Sequence, residues 1–183
     1  MRVGKTRLLL KQGDITRETV DVIVNAANSG LRGGGGVDGA IHRVGGPRIM
    51  AECDAIRARQ GGCPPGQAVI TTGGQLPAKH VVHTVGPIWR GGARGEPDLL
   101  RNAYLNSLRL AAEHGAKTIA FPSISTGVYG YPIELAAPIA LGAARDFALA
   151  DSSFEEIRFI LFSLGDLGIY QQALARLGSK PGG

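Results

Sequence analysis

The residues richest in possible chemistry lie at 25–42, which read N-A-A-N-S-G-L-R-G-G-G-G-V-D-G-A-I-H. Asn25 and Asn28 follow directly on the apolar run 20–24. Then come Gly33, Gly34, Gly35 and Gly36, then Val37, the single acid Asp38, and a short helical pattern. Glycine has no Cβ and reaches φ > 0 without strain, so peptide N–H groups in this stretch can approach a ligand closely. At the start of a helix such amides face an anion, and phosphate is the obvious one. A flexible connector is the alternative. Ordering four glycines costs much entropy, however, and their place between a strand and a helix favours a ligand cradle.

A second glycine-rich loop, P-S-I-S-T-G-V-Y-G-Y-P at 122–132, follows the strand pattern 118–121. Gly127 and Gly130 offer bare backbone there, beside Ser125, Thr126 and Val128, while Tyr129 and Tyr131 offer rings. Two such loops at the ends of two strands, with little cationic help inside either, suit a diphosphate carrying a sugar or base on each side. A third segment, G-D-I-T at 13–16, holds Asp14. Its carboxylate could accept from an exocyclic amine such as that of adenine, or could simply turn or cap the chain. Both readings stay open at this level.

Competing chemistries fare poorly. The stretch 34–39 matches G-x-G-x-x-G, but residues 25–33 separate it from its strand, and no Lys-Ser or Lys-Thr follows for a Walker A loop. His42, His80, His83 and His114 show no zinc-site spacing with Cys53 or Cys63. His80 and His83 sit in a strand pattern, as core or edge residues. Cys53 follows an apparent helix and lacks an evident base. Ser125 lies in S-T-G rather than a G-x-S-x-G elbow, which argues against an α/β-hydrolase triad. Trp89, Tyr104 and Tyr170 fit packing roles. Neither metal nor cofactor is expected.

The elements that must position these loops are short β-branched runs alternating with amphipathic stretches. Residues 20–24, 68–72, 80–85, 118–121 and 157–162 read as strands, and 7–12 as a sixth. Helical patterns cover 98–113, 135–149 and 166–177. Pro138 is awkward inside the second of these, because it removes a backbone bond at a cost of about 3 kcal/mol; that helix is expected to begin later or to kink. The alternation implies an α/β sandwich around a largely parallel sheet, with ligands beyond the carboxyl ends of its strands. A single domain over 1–178 is expected, with 179–183 as a frayed tail.

Composition narrows the class further. The chain has 183 residues, 44% of them apolar and 19% charged, which is ordinary for a globular domain able to fold without disulfides or metal. No apolar run approaches the roughly 18 residues needed to span a bilayer. Two cysteines outside any C-x-x-C pair suit a reduced, cytoplasmic setting. The net charge of +5 favours an anionic partner. Nucleic acid as the main ligand gains little support, since the basic residues are scattered and aromatics make up only 5%.

Five segments together resemble the macrodomain family, specifically its MacroD-like branch: G-D-I-T at 13–16, N-A-A-N at 25–28, G-G-G-V-D-G-A-I-H at 34–42, H-T-V-G-P at 83–87 and S-I-S-T-G-V-Y-G-Y-P at 123–132. The resemblance implies a three-layer α/β/α fold with a mixed, mainly parallel sheet, and an ADP-ribose cleft over its strand ends. It implies that Asp14 holds the adenine amine, with Ile15 lining the base pocket. Asn25 belongs to the same ligand-binding set, and Asn28 contacts the distal ribose. Gly34, Gly35, Gly36 and Val37 face Ser125, Thr126, Gly127, Val128 and Tyr129 across the diphosphate, and Tyr131 packs on the distal ribose. Asp38 is implied as the catalytic acid residue, with Asn28 orienting the ribose hydroxyls. Many relatives place an aromatic ring over the adenine just after the last strand; here that stretch is Ser163-Leu164-Gly165-Asp166, without one. The implied activity is metal-independent hydrolysis of the ester between the distal ribose and an acyl group, on O-acetyl-ADP-ribose or mono-ADP-ribosylated Asp or Glu of a protein. An ADP-ribose reader without turnover is the alternative. A monomer without membrane contact is expected.

Asp38 has a bland role open to it, as a complement to the macrodipole in a helix's first turn. Within a phosphate loop, though, a carboxylate should repel the diphosphate unless it serves a purpose. Orienting or deprotonating the attacking water is that purpose, with a substrate phosphate oxygen as a conceivable partner.

Overall fold

A computed structural model describes residues 1–179 of the chain. Its strands are β1 (Arg2–Val3), β2 (Thr6–Gln12), β3 (Val20–Ala26), β4 (Ala68–Thr72), β5 (Ala78–Thr84), β6 (Thr118–Phe121) and β7 (Glu156–Leu161). Its helices are α1 (Gly36–Gly45), α2 (Pro47–Gln60), α3 (Glu96–Glu113), α4 (Ile133–Ala150) and α5 (Leu164–Ser179), with a short 3-10 turn at Ile15–Arg17. The sheet order is β1-β2-β7-β6-β3-β5-β4. The inner pairs β2/β7, β7/β6, β6/β3 and β3/β5 are parallel, while β1 and β4 close the two edges antiparallel.

Period-2 alternation along the strands builds two apolar layers. Val22, Val24, Val82, Ile119 and Phe121 point into one, shared with Leu100, Tyr104 and Leu108 of α3, the alanines of α4 and Tyr170 of α5. Ile23, Val81, Ala120 and Ile160 point into the other, shared with Ile41 of α1, with Ile49, Cys53 and Ile56 of α2, and with Ile15. The expected three-layer α/β/α arrangement with a mainly parallel sheet is therefore realised. Both faces of β3 are covered, which explains its near-continuous apolar run.

Three expectations need correction. Helix α4 starts at Ile133, earlier than expected, and Pro138 lies inside it. The lost backbone bond costs about 3 kcal/mol, and the burial of Ala136, Ala137, Ala140 and Leu141 around it opposes that cost. Cys53 does not follow a helix but sits within α2, where Ile49, Cys53 and Ile56 form the buried stripe. Helix α5 runs through Ser179, so the expected tail begins no earlier than 180; residues 180–183 lie outside the described residues. Among the described residues, no helix is long and apolar enough to cross a membrane.

Candidate active site

A cavity of about 410 Å³ opens at the carboxyl ends of β3 and β6, within the roughly 300–1,000 Å³ usual for small-molecule sites. It is lined by residues 26–28, 34–38, 86, 122–125 and 127–129. Of the expected site residues, Asn28, Gly34, Gly35, Gly36, Val37, Asp38, Ser125, Gly127, Val128 and Tyr129 reach it.

One wall is the start of α1. Gly35 caps this helix without any side-chain bond, so the first-turn N–H groups are free to face the cavity. A Cβ on Gly35 or Gly36 would meet nothing within 4 Å, and Gly36 has φ +56°, which favours glycine. Gly39 is required for packing, since a Cβ there would collide with the carbonyl oxygen of Gly34. Asp38, one turn in, is 7% exposed. Its Oδ1 accepts from Asn25 Nδ2 at 2.8 Å and lies 3.3 Å from His42 Nε2. Its Oδ2 forms no hydrogen bond or ion pair among the described residues. A Cβ built on Gly34 would stand 3.5 Å from that oxygen and 3.9 Å from Asn28 Nδ2, so carboxylate and amide flank the same glycine. Asn28 also holds its own loop, donating to Gly33 O at 2.7 Å and accepting from Arg32 N at 3.1 Å.

Behind Asp38 lies a buried polar chain. The parallel register of β3 and β5 pairs Asn25 with His83, and Asn25 Nδ2 also lies 3.1 Å from His83 Nδ1. Because the amide donates, Nδ1 accepts and Nε2 carries the proton. Nε2 then donates to Thr71 Oγ1 at 2.9 Å, whose own hydrogen goes to Thr72 O. Burial, aided by nearby His42, pushes the His83 pKa down to about 3, so the ring is neutral. Asn25 is fully buried and does not line the cavity; it corrects the ligand contact implied for it by supporting Asp38 instead.

The fold also brings His42, Cys53 and His83 together, with one donor atom from each within 4.8 Å of the others, a grouping that linear spacing hides. Both nitrogens of His83 are already engaged. Burial raises the Cys53 thiol to about 11, which leaves it protonated and a poor nucleophile although His83 Nε2 lies 3.9 Å away.

The opposite wall is the 122–132 loop, held from below by rings. Tyr104 Oη accepts from Ile124 N at 3.0 Å, and Tyr170 Oη donates to Ser123 Oγ at 2.9 Å. These two tyrosines fix the loop rather than merely fill space. Ser125 has φ +67°, uncommon for a residue with a side chain, and its buried Oγ has no hydrogen-bond partner among the described residues. Gly86 packs against it so closely that a Cβ would collide with Ser125 Oγ and the Ile124 side chain. Thr126 does not line the cavity; its hydroxyl donates to Ser123. Tyr131, only 2% exposed, packs on Trp89 with ring centroids 4.5 Å apart and does not line the cavity.

Asp14 and Ile15 lie off the main cavity, at the end of β2 beside β7. Asp14 Oδ1 caps the 3-10 turn, accepting from Thr16 N at 2.9 Å and Thr16 Oγ1 at 2.7 Å; these bonds lower its pKa. Ile15 is buried against Ile160. β7 ends at Leu161, so Phe162 lies beyond it, 87% exposed, two residues before the exposed Leu164. The end of the last strand thus does carry a ring, contrary to the expectation. Ala26, Ala27, Gly86, Pro122, Ser123 and Ile124 complete the lining without having been assigned roles from sequence. The G-P pair after β5 and the start of the P-S-I-S-T loop were the available signals.

A family model described as Macro domain matches residues 24–140. The O-acetyl-ADP-ribose deacetylase of Escherichia coli (strain K12) is 52% identical over 176 residues, covering 96% of this chain and 99% of that protein. The Oceanobacillus iheyensis macrodomain solved with ADP is 44% identical with a TM-score of 0.95, covering 99% of this chain and 96% of its own. The Trypanosoma brucei macrodomain in complex with ADP-ribose is 43% identical with a TM-score of 0.83, covering 91% of this chain and 68% of its own.

Proposed function

The chain belongs to the Macro domain family, and from that membership we propose that it binds ADP-ribose and hydrolyses the ester joining its distal ribose to an acyl group. Relatives at about half identity over nearly their full length carry the name O-acetyl-ADP-ribose deacetylase, and that reaction is the one assigned to this chain. Mono-ADP-ribosylated Asp or Glu of a protein presents the same sugar ester and is a second substrate class.

The observation that carries the reading is the position of Asp38. Its Oδ1 is held by Asn25, while its Oδ2 lies free beside Gly34 and Asn28 at the cavity wall. The diphosphate lies between the uncapped start of α1 and the 122–132 loop, where backbone N–H groups and Ser125 Oγ supply donors. Asn28 orients the distal ribose. Asp38 Oδ2 takes a proton from a water whose oxygen bonds to the acyl carbon. The ribose oxygen leaves and takes that proton back from Asp38, so the products are the free acid and ADP-ribose. Asp14 and Ile15, with Phe162 beside them, receive the base. The protein acts as a single macrodomain.

Replacing Asp38 with Ala lowers kcat by about a hundredfold or more, the size of a general-base contribution, while ADP-ribose binding measured by calorimetry survives. Unchanged turnover of O-acetyl-ADP-ribose would remove Asp38 from the mechanism. Binding by the wild type without any release of ADP-ribose would favour a reader.

A further inference from the structure

A second cavity, of about 310 Å³, adjoins the first and shares Gly86 and Tyr129 with it. Ser29, next in the chain to Asn28, also lines it. Its distinctive part is the loop after β5, which contributes Arg90 and Arg94. That loop is held by one buried carboxylate. Glu96 accepts from the backbone N–H of Arg90 at 3.0 Å, Gly92 at 2.8 Å and Arg94 at 2.6 Å. Burial would raise its pKa, but these donors outweigh that and hold it at about 2. Trp89 N donates to Tyr129 O at 2.9 Å, tying the loop to the wall of the first cavity. The backbone is thus fixed, while the guanidinium groups stay uncommitted: among the described residues neither forms an ion pair.

The sheet order says which end of the ligand this cavity meets. Asp14 and Phe162 follow β2 and β7, on one side of β6 and β3; residues 85–94 follow β5, on the other. With the base at the first side, the distal ribose and its acyl substituent point to the second. We infer that this second cavity takes the leaving group: a peptide whose ADP-ribosylated Glu or Asp is flanked by further carboxylates, which pair with Arg90 and Arg94. The inference rests on the orientation of ADP-ribose given above. A peptide fits better than a nucleic acid because Pro65, Pro87, Ile88 and Leu99 make up much of the remaining wall, and Tyr129 is its one ring. Guanidinium groups on a rigid loop bind carboxylates through charge-assisted bonds whose strength falls with salt.

The test compares O-acetyl-ADP-ribose, a peptide bearing ADP-ribosyl-Glu between two Glu residues, and the same peptide with Gln flanks. The wild type should favour the Glu-flanked peptide about tenfold in kcat/KM at low salt, through KM, and less at high salt. The double variant R90A/R94A should lose that preference and R90K/R94K retain part of it. Both should hydrolyse O-acetyl-ADP-ribose at the wild-type rate, which reports an intact fold. Equal use of the two peptides by the wild type, or a preference that survives in R90A/R94A, overturns the inference. So does faster release of ADP-ribose from a nucleic-acid phosphate than from the Glu-flanked peptide, if R90A/R94A abolishes it. A wild type that fails to bind ADP-ribose in calorimetry and turns over none of the three substrates refutes the function itself, an outcome distinct from any of these.

Discussion

In the proposed mechanism the reactivity of Asp38 is set by what lies behind it. Asn25 spends both amide hydrogens inward, on Asp38 Oδ1 and His83 Nδ1, and so determines which carboxylate oxygen remains for a water. Asn25→Ala removes that restraint, leaving buried His83 Nδ1 without a donor and Asp38 Oδ1 with His42 Nε2 alone, at a stability cost of about 1–3 kcal/mol. The expected kinetic result is a drop in kcat of about tenfold or more, because a loosened base loses its alignment, with little change in the dissociation constant for ADP-ribose. A fall confined to affinity would return Asn25 to the ligand-contact role. Asn28, Asp38 and the glycines were legible in the sequence because their chemistry is local: a strand, a bare loop and a helix start within one short segment. The inward role of Asn25 was not legible, because it depends on a histidine 58 residues away brought alongside by strand pairing. The same is true of Gly86, whose need is set by Ser125 in a different loop.

Among the elements, β2 to β7 were legible to within two residues at either end, since β-branched runs between turn signals leave few alternatives, while the two-residue β1 was not read. Helix α2 was missed because its buried stripe is only Ile49, Cys53 and Ile56, set among Arg48, Glu52, Asp54, Arg57 and Arg59. The limit of β7 had a functional consequence. With the strand ending at Leu161, Phe162 becomes part of the loop that follows. Its carbonyl accepts from Gln12 Nε2 at 3.4 Å, at the end of β2 just before Asp14 and Ile15. In the proposed binding mode the exposed ring supplies the apolar face that adenine needs. Stacking of a base on an aromatic ring is worth about 1–3 kcal/mol. Phe162→Ala should accordingly weaken ADP-ribose binding about fivefold or more in calorimetry and leave kcat on saturating O-acetyl-ADP-ribose unchanged. An unaltered dissociation constant would leave the base to Leu164 and Ile15.

For the whole molecule, the buried polar chain behind Asp38 links function to acid stability. His83 is neutral in the fold, with a pKa of about 3 set by burial and then by His42, against about 6.5 in an unfolded chain. Between these values the unfolded state binds a proton that the folded state refuses, so stability is complete above pH 6.5 and falls as the pH drops toward 3. From pH 7 to pH 5 the loss is about 2 kcal/mol, or about 5 °C in Tm for a chain of this size. Carboxylates act elsewhere on the scale. Glu96, held at about 2 by backbone donors, loses its contribution only as the pH falls below about 4.5, so above that pH the His83 effect is seen without it. Thermal melts of wild type and His83→Gln at half-unit steps from pH 7.5 to 4.5 distinguish them. The variant should melt lower at pH 7, because Gln cannot reproduce the geometry between Asn25 and Thr71, but its Tm should be nearly flat to pH 5, where the wild type declines. Parallel slopes in the two proteins would assign the acid sensitivity to other groups and strip His83 of this role.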